Sequence, residues 1–348
     1  MAIQIQHAQS RFQSPNRNLE SILVAGMCAI ALLLCGCDDK KAAIPAAAKT
    51  DAGAKPAQMV VGFSQVGAES GWRTANTKSI KEEAEKRGVK LQFSDAQGDQ
   101  ENQIRAIRSF IQQKVDFIAF SPKTQDGFQP VLEEAKKAGI PVVLTDRVVK
   151  VDDPTLYVTF IGSDFVKEGK QAAEWLAKKA GGKAMIAELQ GSAGAAPAID
   201  RKKGFEEGIA QFPGMKIIKS QSGNFERGKG KEVFEAFLRS PEGSQITALY
   251  AHNDDMALGA IQAIEAAGKK PGVDIIIVSI DGVRDAFQAM FEGKLNCSVE
   301  CNPLLGPQLF DVFVKLKKGE SVAKHIQTEE SVFDQSMVTA EVLKNRKY

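Results

Sequence analysis

VGFSQVGAESGWR, residues Val61–Arg73, carries the strongest structural signal in this chain. A short apolar run breaks into a polar loop punctuated by glycine, and a helical pattern follows at once. The loop presents a carboxylate, an aromatic ring and a guanidinium close together, on Glu69, Trp72 and Arg73. In an open α/β sheet, ligands bind in the crevice at the carboxyl ends of the strands. The loop is therefore predicted to form one wall of a polar-ligand pocket. The alternative is an ordinary strand–helix turn with a surface tryptophan.

Outward from this loop, strand-like and helix-like segments alternate with little chain between them. The predicted strands are Met59–Ser64, Val89–Asp95, Val115–Ser121, Pro141–Thr145, Ala184–Leu189, Lys216–Ser220, Ile246–Tyr250 and Asp274–Ser279. The predicted helices are Ala75–Arg87, one capped by Asp99, Gly127–Ala138, Ile199–Gln211, Gly230–Arg239, Met256–Ala267 and Val283–Phe291. Such alternation predicts mostly parallel sheets. These strand–helix units fall into two consecutive sets of similar size, which favours two doubly wound lobes. A closed eightfold barrel is the structural alternative.

The composition is that of a globular protein with two ordinary domains. The chain has 348 residues, of which 43% are hydrophobic and 25% charged. Its formal net charge is +2, and it has no basic or acidic tail. These features exclude the electrostatic signature of a nucleic-acid partner.

Residues 1–37 have the pattern of a lipoprotein signal peptide. Arg11 and Arg17 precede the uncharged run Ile22–Leu34, which is too short to span a bilayer comfortably. The run ends in LCGC, which resembles a bacterial lipobox with Cys37 as the lipidated residue. By the same resemblance, Asp38 after the lipidated cysteine favours retention at the inner membrane. The protein is therefore expected in the periplasm, joined to the membrane only through its lipid by a flexible tether of residues 38–58.

Two cysteines, Cys297 and Cys301, belong to the predicted folded body. On an extended strand their Cα atoms would lie about 13 Å apart, beyond the reach of a disulfide. A bridge would therefore need a turn between them. No second pair of Cys or His accompanies them, so their spacing does not indicate a zinc site.

Motifs for catalysis and for cofactor binding are incomplete. Gly223–Gly230 nearly spells a P-loop, but Gly230 stands where a hydroxyl should reach the metal ion. No G-x-G-x-x-G follows a predicted strand, and no G-x-S-x-G is present. His252, with Asp254 beside it, would suit a metal or acid–base site, but a structural role behind the crevice is favoured, with Asn253 facing the crevice. The sequence therefore indicates no enzyme, no catalytic residue, no cofactor and no metal.

Acidic and basic side chains occur in balanced numbers at the predicted strand ends and helix starts. They are Glu69, Asp146, Asp200, Asp254, Asp281, Arg73, Arg147 and Arg201. A sugar hydroxyl both donates and accepts hydrogen bonds, so it suits carboxylates and guanidiniums together. Trp72 and Phe225 could stack on the apolar faces of a sugar ring. The pattern predicts a neutral polyol as ligand, and the alternative is that several of these groups are helix caps or surface ion pairs.

The order of these motifs resembles that of periplasmic sugar-binding proteins of ABC importers. The resemblance is to the type I, ribose- and galactose-binding group, and above all to its galactofuranose-binding members. It runs from about Met59 onward and covers the opening loop and several later segments. Those segments are Gln100–Ile104, Pro141–Arg147, Glu188–Gly191, Ile199–Phe205, Tyr250–Met256 and Ser279–Val283. Ser121 and Cys301 stand where the pentose-binding members carry amides, which leaves the identity of the sugar open.

This resemblance implies an α/β fold of two doubly wound parallel-sheet lobes joined by a hinge with three crossovers. The first lobe would comprise residues 59–162 plus about 302–323, and the second residues 163–301 plus about 324–348. The ligand would be clamped between them by side chains of both lobes. The implied ligand-binding residues are Gln65, Glu69, Ser70, Gly71, Trp72, Arg73, Asp146, Arg147, Arg201, Phe225, Asn253, Asp281 and Glu300.

The function so predicted is non-catalytic capture of a monosaccharide. Galactofuranose is the first candidate, followed by ribose, arabinose or galactopyranose. A monomeric, lipid-anchored receptor would deliver the sugar to ABC permease subunits served by a cytoplasmic ATPase. The alternative is a sensor that presents the sugar to a membrane signalling protein. The effector lobe of a repressor shares the fold but would need a DNA-reading segment where this chain has its lipobox.

Overall fold

The computed structural model describes residues 58–348. The predicted signal peptide, its lipidation site Cys37 and the tether up to residue 57 lie outside the described residues. Within residues 58–348, no helix combines the length and the apolar character needed to cross a membrane.

Twelve strands occur in the described part of the chain. They are β1 (Val60–Gln65), β2 (Lys90–Asp95), β3 (Phe117–Phe120), β4 (Val142–Thr145), β5 (Thr159–Gly162), β6 (Lys183–Gln190), β7 (Gly214–Ser222), β8 (Ala248–Ala251), β9 (Ile276–Asp281), β10 (Cys297–Glu300), β11 (His325–Gln327) and β12 (Val332–Asp334). They form two six-stranded sheets, in the orders β11-β5-β4-β3-β1-β2 and β12-β10-β9-β8-β6-β7. Pairing is parallel throughout except between β10 and β12. Two open sheets rule out the eightfold barrel.

Ten α-helices occur among the described residues; nine lie between strands and the tenth follows the last strand. They are α1 (Gly71–Lys86), α2 (Gln100–Gln112), α3 (Gln129–Lys137), α4 (Phe165–Lys179), α5 (Ala196–Ile209), α6 (Arg227–Arg239), α7 (Asp254–Ala266), α8 (Arg284–Phe291), α9 (Gly306–Lys317) and α10 (Ala340–Asn345). The side chain of Ser70 accepts a hydrogen bond from the backbone N–H of Arg73 and so caps α1. Helix α1 therefore begins at Gly71 rather than at the predicted Ala75, and Trp72 and Arg73 lie on its first turn instead of in a loop.

Apolar side chains cover both faces of the first sheet, as a doubly wound fold requires. Successive residues of a strand point to opposite faces. In β3, Ile118 and Phe120 pack in the cluster that contains residues of α2 and α3. Phe117 and Ala119 pack in the cluster that contains residues of α1 and α9. The second sheet and its helices form a further buried cluster. The predicted fold class is confirmed.

The chain crosses between the two sheets three times. The crossing segments are residues 163–164, 301–305 and 328–331, which join β5 to α4, β10 to α9 and β11 to β12. Because β11 pairs with β5 in the first sheet, the predicted return to the second lobe at about residue 324 is too early. The return follows Gln327. Cys297 and Cys301 are both buried and free, as the extended backbone of β10 requires.

Candidate functional site

A cleft between the lobes forms a pocket of about 280 Å³, part of which is open to solvent. Both lobes line the pocket, and one crossing segment contributes as well. The lining residues are Glu69, Ser70, Trp72, Arg73, Asp146 and Arg147 from the first lobe, Pro197, Arg201, Phe225, Asn253 and Asp281 from the second, and Cys301 from the crossing.

The lobes touch each other beside this pocket. The backbone N–H of Gly71 donates to Asp255 Oδ2 at 2.8 Å, from the first lobe to the second. The backbone N–H of Gln125 donates to the carbonyl oxygen of Gly194 at 2.9 Å, again across the cleft. The structure therefore has the lobes closed over the pocket.

In the first lobe, two arginines and two carboxylates form one buried network. Arg73 Nη2 lies 2.6 Å from Asp146 Oδ2, and Arg73 Nε lies 3.1 Å from Glu69 Oε1. Arg147 Nη2 reaches the same Glu69 oxygen at 3.2 Å. The Ser121 hydroxyl donates to Asp146 Oδ2 at 2.8 Å and accepts from Arg73 Nη1 at 3.1 Å. The network fixes each charged side chain in one orientation toward the cleft.

Burial and these charges set the ionisation of the network. Burial alone would raise the pKa of Glu69, but Arg73 and Arg147 outweigh it and hold that pKa below its ordinary value. Burial and the neighbouring Arg73 lower the pKa of Arg147. The carboxylate is therefore ionised at neutral pH, and the two guanidiniums are crowded together.

The second lobe supplies a matching cation on α5. Arg201 Nε lies 2.7 Å from Glu168 Oε2, and its Nη1 donates to the carbonyl oxygen of His252 at 2.6 Å. Its Nη2 faces Asp281 Oδ1 at 3.7 Å. Burial raises the pKa of Asp281, although Arg201 opposes the effect. Burial likewise raises the pKa of Glu168, to about 7.

His252 lies behind the pocket, and Asn253 lines it, as the sequence pattern predicts. His252 Nδ1 accepts from the backbone N–H of Gly191 at 3.3 Å, so its Nε2 donates to Glu188 Oε1 at 3.1 Å. Burial lowers the pKa of His252. The imidazole is therefore neutral and structural at pH 7.

Two aromatic rings give the pocket its apolar faces. The indole of Trp72 donates from Nε1 to the carbonyl oxygen of Cys301 at 2.6 Å. The Arg73 guanidinium stands 4.7 Å from the centre of the Trp72 ring. From the opposite lobe, the Phe225 ring lies 5.3 Å from the Arg147 guanidinium. Each ring thus pairs an apolar face with a cation, which suits a ligand with both C–H and O–H groups.

Three pocket residues have strained backbones. Asp146, Phe225 and Asp281 have φ angles of 62°, 66° and 129°, in the region that non-glycine residues rarely occupy. Such strain persists only where the surroundings enforce it, and it concentrates at functional sites. All three residues follow or end a strand of the two sheets, where a crevice forms.

Two buried polar atoms of the pocket residues have no hydrogen-bond partner among residues 58–348. They are Glu69 Oε2 and Arg147 Nε. Buried polar atoms are nearly always paired in native proteins. They are one acceptor and one donor on side chains that line the pocket.

Not every predicted binding residue lines the pocket. The Gln65 side chain lies behind it, where its Oε1 accepts from Arg73 Nη1 at 3.2 Å. Gly71 contributes its N–H to the contact with Asp255, and Glu300 pairs with Arg346 at 2.8 Å away from the pocket. Conversely, Pro197 lines the pocket without having been predicted. A proline near the start of a helix is ordinary, so its sequence position carried no signal.

One group within residues 58–348 offers three ligand atoms that a metal ion could use. Atoms of Glu168, Cys301 and Glu330 lie within 4.8 Å of one another under the pocket. Burial raises the thiol pKa of Cys301. Glu330 Oε1 already accepts from Thr328 Oγ1 at 2.7 Å and from the backbone N–H of Asn302 at 3.1 Å. A cation would have to displace these bonds beside the Arg201 guanidinium, so the group fits a polar joint between crossing segments better than a metal site.

The sequence of residues 61–321 matches the family model described as a periplasmic binding protein domain. This chain belongs to the periplasmic binding protein family. It is 50% identical over 293 residues to the galactofuranose-binding protein YtfQ of Escherichia coli (strain K12), an alignment that covers 84% of this chain and 92% of YtfQ.

Solved structures of the family superpose on both lobes. One is the periplasmic binding protein of the arabinose ABC transporter from Shewanella sp. ANA-3, bound to α- and β-L-arabinofuranose. It is 52% identical with a TM-score of 0.81, covering 83% of this chain and 96% of that one. Another is a Mycobacterium smegmatis protein in complex with β-D-fucofuranose, 55% identical with a TM-score of 0.80, covering 82% and 94%. The type I periplasmic binding protein fold is thereby confirmed.

Proposed function

We propose that this protein captures a monosaccharide in its furanose ring form and delivers it to an ABC importer. The observation that carries the proposal is the closed pocket whose lining has three carboxylates and three guanidiniums, with one buried acceptor and one buried donor unpaired. Relatives at about half identity are named for galactofuranose or were solved with furanose sugars.

The charge balance of the pocket favours a neutral ligand. Glu69, Asp146 and Asp281 oppose Arg73, Arg147 and Arg201 within it. A phosphate or carboxylate ligand would leave the acidic side chains facing an anion, at a cost that burial increases. A hydroxyl instead donates to a carboxylate and accepts from a guanidinium. Among neutral sugars, the relatives named above make galactofuranose and L-arabinofuranose the leading candidates.

Two deoxy sugars test the ring form directly. 5-Deoxy-L-arabinose closes only as a furanose, and 4-deoxy-L-arabinose only as a pyranose, while both have one hydroxyl fewer than L-arabinose. Titration calorimetry should give at least about tenfold tighter binding for the furanose-locked sugar. Tighter binding of the pyranose-locked sugar would overturn the ring form. If these sugars, L-arabinose and D-galactose all failed to bind, the proposed function itself would be wrong.

We further propose that the protein is a monomeric lipoprotein, anchored through Cys37 in the periplasm. A lipid anchor would hold the receptor near the permease and raise its effective concentration there. The Cys37→Ser variant should move from the membrane fraction to the soluble periplasmic fraction, with unchanged sugar affinity. Import rather than sensing is supported by the name of the 52% identical relative, a component of an arabinose ABC transporter. The relatives named above are binding proteins rather than enzymes, which supports a non-catalytic role.

A further inference from the structure

The turn that brings Asp281 to the pocket is held firmly from inside the second lobe. Asp281 has a φ of 129° and Gly282 a φ of 78°. The backbone N–H of Gly282 donates to Ser298 Oγ at 2.9 Å, and that of Val283 donates to Asp254 Oδ2 at 2.8 Å. These two bonds hold the N–H groups of the strained turn. They leave the carbonyl oxygen of Gly282 to be bonded by another group.

Arg346 binds this carbonyl oxygen. Its Nε donates to the carbonyl oxygen of Gly282 at 2.6 Å, and its Nη1 pairs with Glu300 Oε1 at 2.8 Å. Glu300 is the direct neighbour of Asp281 in the register of β9 and β10. One guanidinium therefore contacts both the residue that follows Asp281 and the residue beside it.

The Arg346 side chain is itself locked in place. Its guanidinium lies 4.4 Å from the ring centre of Phe287, 5.2 Å from that of Phe333 and 4.2 Å from that of Tyr348. Tyr348 donates from its hydroxyl to Glu300 Oε1 at 2.7 Å. The Arg346 side chain is only 11% exposed. A surface ion pair would lack such enclosure.

We propose that Arg346 is a positioning residue for sugar binding, which acts on the ligand through Asp281. The inference rests on the proposed function, since it assumes that Asp281 bonds a sugar hydroxyl. Arg346 does not line the pocket. Without the bonds from Arg346 to Gly282 and Glu300, the Gly282 carbonyl would be left unpaired, and the strained Asp281 would relax away from the geometry that the ligand needs.

A double-mutant cycle with L-arabinose as the probe tests this role. Arg346→Met should weaken binding about tenfold, as loss of one well-placed polar contact does. Arg346→Lys should recover part of the affinity, because an ammonium can reach only one of the two partners. Lys347→Met, an exposed neighbour with the same change of charge, should bind as the wild type does. In an Asp281→Asn background, Arg346→Met should cost no more than about twofold.

Full additivity of the two substitutions would show that Arg346 does not act through Asp281 and would overturn the proposal. A ligand-free readout separates this failure from failure of the proposed function. Amide hydrogen exchange at Gly282 and Val283 should be faster in Arg346→Met than in Lys347→Met, without any sugar present. If the wild type bound no sugar, the proposed function would fail, and unchanged exchange at these amides would still refute the positioning role.

Discussion

The indole N–H of Trp72 and the backbone carbonyl of Cys301 are joined by a hydrogen bond of 2.6 Å. Trp72 lies on the first turn of α1 in the first lobe, and Cys301 begins the segment that crosses from β10 to α9. A wall of the pocket is thereby tied to the hinge itself. Movement of the crossing segment and placement of the aromatic ring are therefore coupled.

Trp72→Phe should lower sugar affinity about tenfold. The substitution keeps an aromatic face but removes the donor to Cys301, and a buried carbonyl left without a partner costs about 1–3 kcal/mol. Water can satisfy that carbonyl when the lobes are apart, so the cost falls mainly on the closed form. Calorimetry with L-arabinose would measure the affinity, and small-angle scattering would report closure.

The matched control is Trp175→Phe. The Trp175 indole also donates to a partner, Asp334 Oδ2 at 2.9 Å, but neither residue lines the pocket. Its loss should lower the free energy of unfolding and leave sugar affinity unchanged. Equal losses of affinity in both variants would contradict a specific role for the Trp72 bond.

Gly191→Ala should weaken binding by displacing Phe225. A Cβ at residue 191 would stand 1.9 Å from Cζ of the Phe225 ring, which therefore has to move. Phe225 has a φ of 66° and little freedom to adjust its backbone. Affinity for L-arabinose, measured by calorimetry, should fall at least about tenfold.

Gly228→Ala serves as the comparison within the same lobe. A Cβ at residue 228 meets nothing within 4 Å, and the residue lies in the first turn of α6. Alanine there should raise the free energy of unfolding by about 0.5–1 kcal/mol without changing affinity. If Gly191→Ala behaved in the same way, Phe225 would not be part of the binding surface.

Much of the pocket was predictable because its side chains occupy one kind of position. Asp146, Arg147 and Asp281 lie at or directly after the carboxyl ends of parallel strands, which meet at one edge of each sheet. The same rule predicts that Trp72 and Arg73, which follow β1, lie at the crevice. The cap at Ser70 places them on the first turn of a helix rather than in a loop. Alternation of strand and helix patterns is local information, so the sequence carries it directly.

Contacts between segments far apart in sequence were not predictable in the same way. Glu168 meets Arg201 at a sequence separation of 33 residues, and no spacing rule joins them. Glu300 lies at the carboxyl end of its strand, as Asp281 does, yet its side chain pairs with Arg346 and does not line the pocket. The sequence rule locates a strand end but does not choose which strand-end side chains point into the cleft.

The P-loop-like segment Gly223–Gly230 shows how a motif is resolved by packing. A Cβ on Gly230 would stand 2.7 Å from Cα of Met256, so the glycine lets α6 approach α7 closely. Helix packing, rather than a phosphate, thus explains this glycine.

Arg147→Met should abolish sugar binding without destabilising the protein. Arg147 lines the pocket and its Nε has no hydrogen-bond partner among the described residues, so the substitution removes a charged donor to the ligand. Burial and Arg73 lower the pKa of Arg147, which means that the fold disfavours its charged form. The free energy of ligand-free unfolding should therefore stay level or rise, while affinity falls at least about hundredfold.

Urea unfolding and calorimetry together measure both effects. Arg239→Met is the control, because the Arg239 side chain is 71% exposed and lies on α6 away from the pocket. That variant should match the wild type in affinity. A large loss of stability in Arg147→Met would show that the guanidinium is structural rather than reserved for the ligand.

Glu168→Gln should flatten the pH dependence of stability between about pH 4.5 and pH 7. Burial raises the pKa of Glu168 from its ordinary 4.5 to about 7, and one carboxyl oxygen has no partner among the described residues. A carboxyl whose pKa is raised by folding stabilises the fold fully below its unfolded pKa. That contribution is lost as the pH rises through the folded pKa, and it amounts to about 3 kcal/mol for this shift.

The glutamine variant keeps a hydrogen-bond acceptor for Arg201 and has no proton to lose. The free energy of unfolding of the variant, relative to that of the wild type, should therefore increase as the pH rises. The difference should reach its full size above pH 7.

Glu207→Gln is the opposite case, since the bond from Lys170 lowers the pKa of Glu207. Any stabilisation from that carboxylate is lost as the pH falls. Urea unfolding of the three proteins at intervals from pH 4 to pH 8 would measure these slopes. Parallel curves for the wild type and Glu168→Gln would mean that Glu168 is ionised throughout, paired with Arg201.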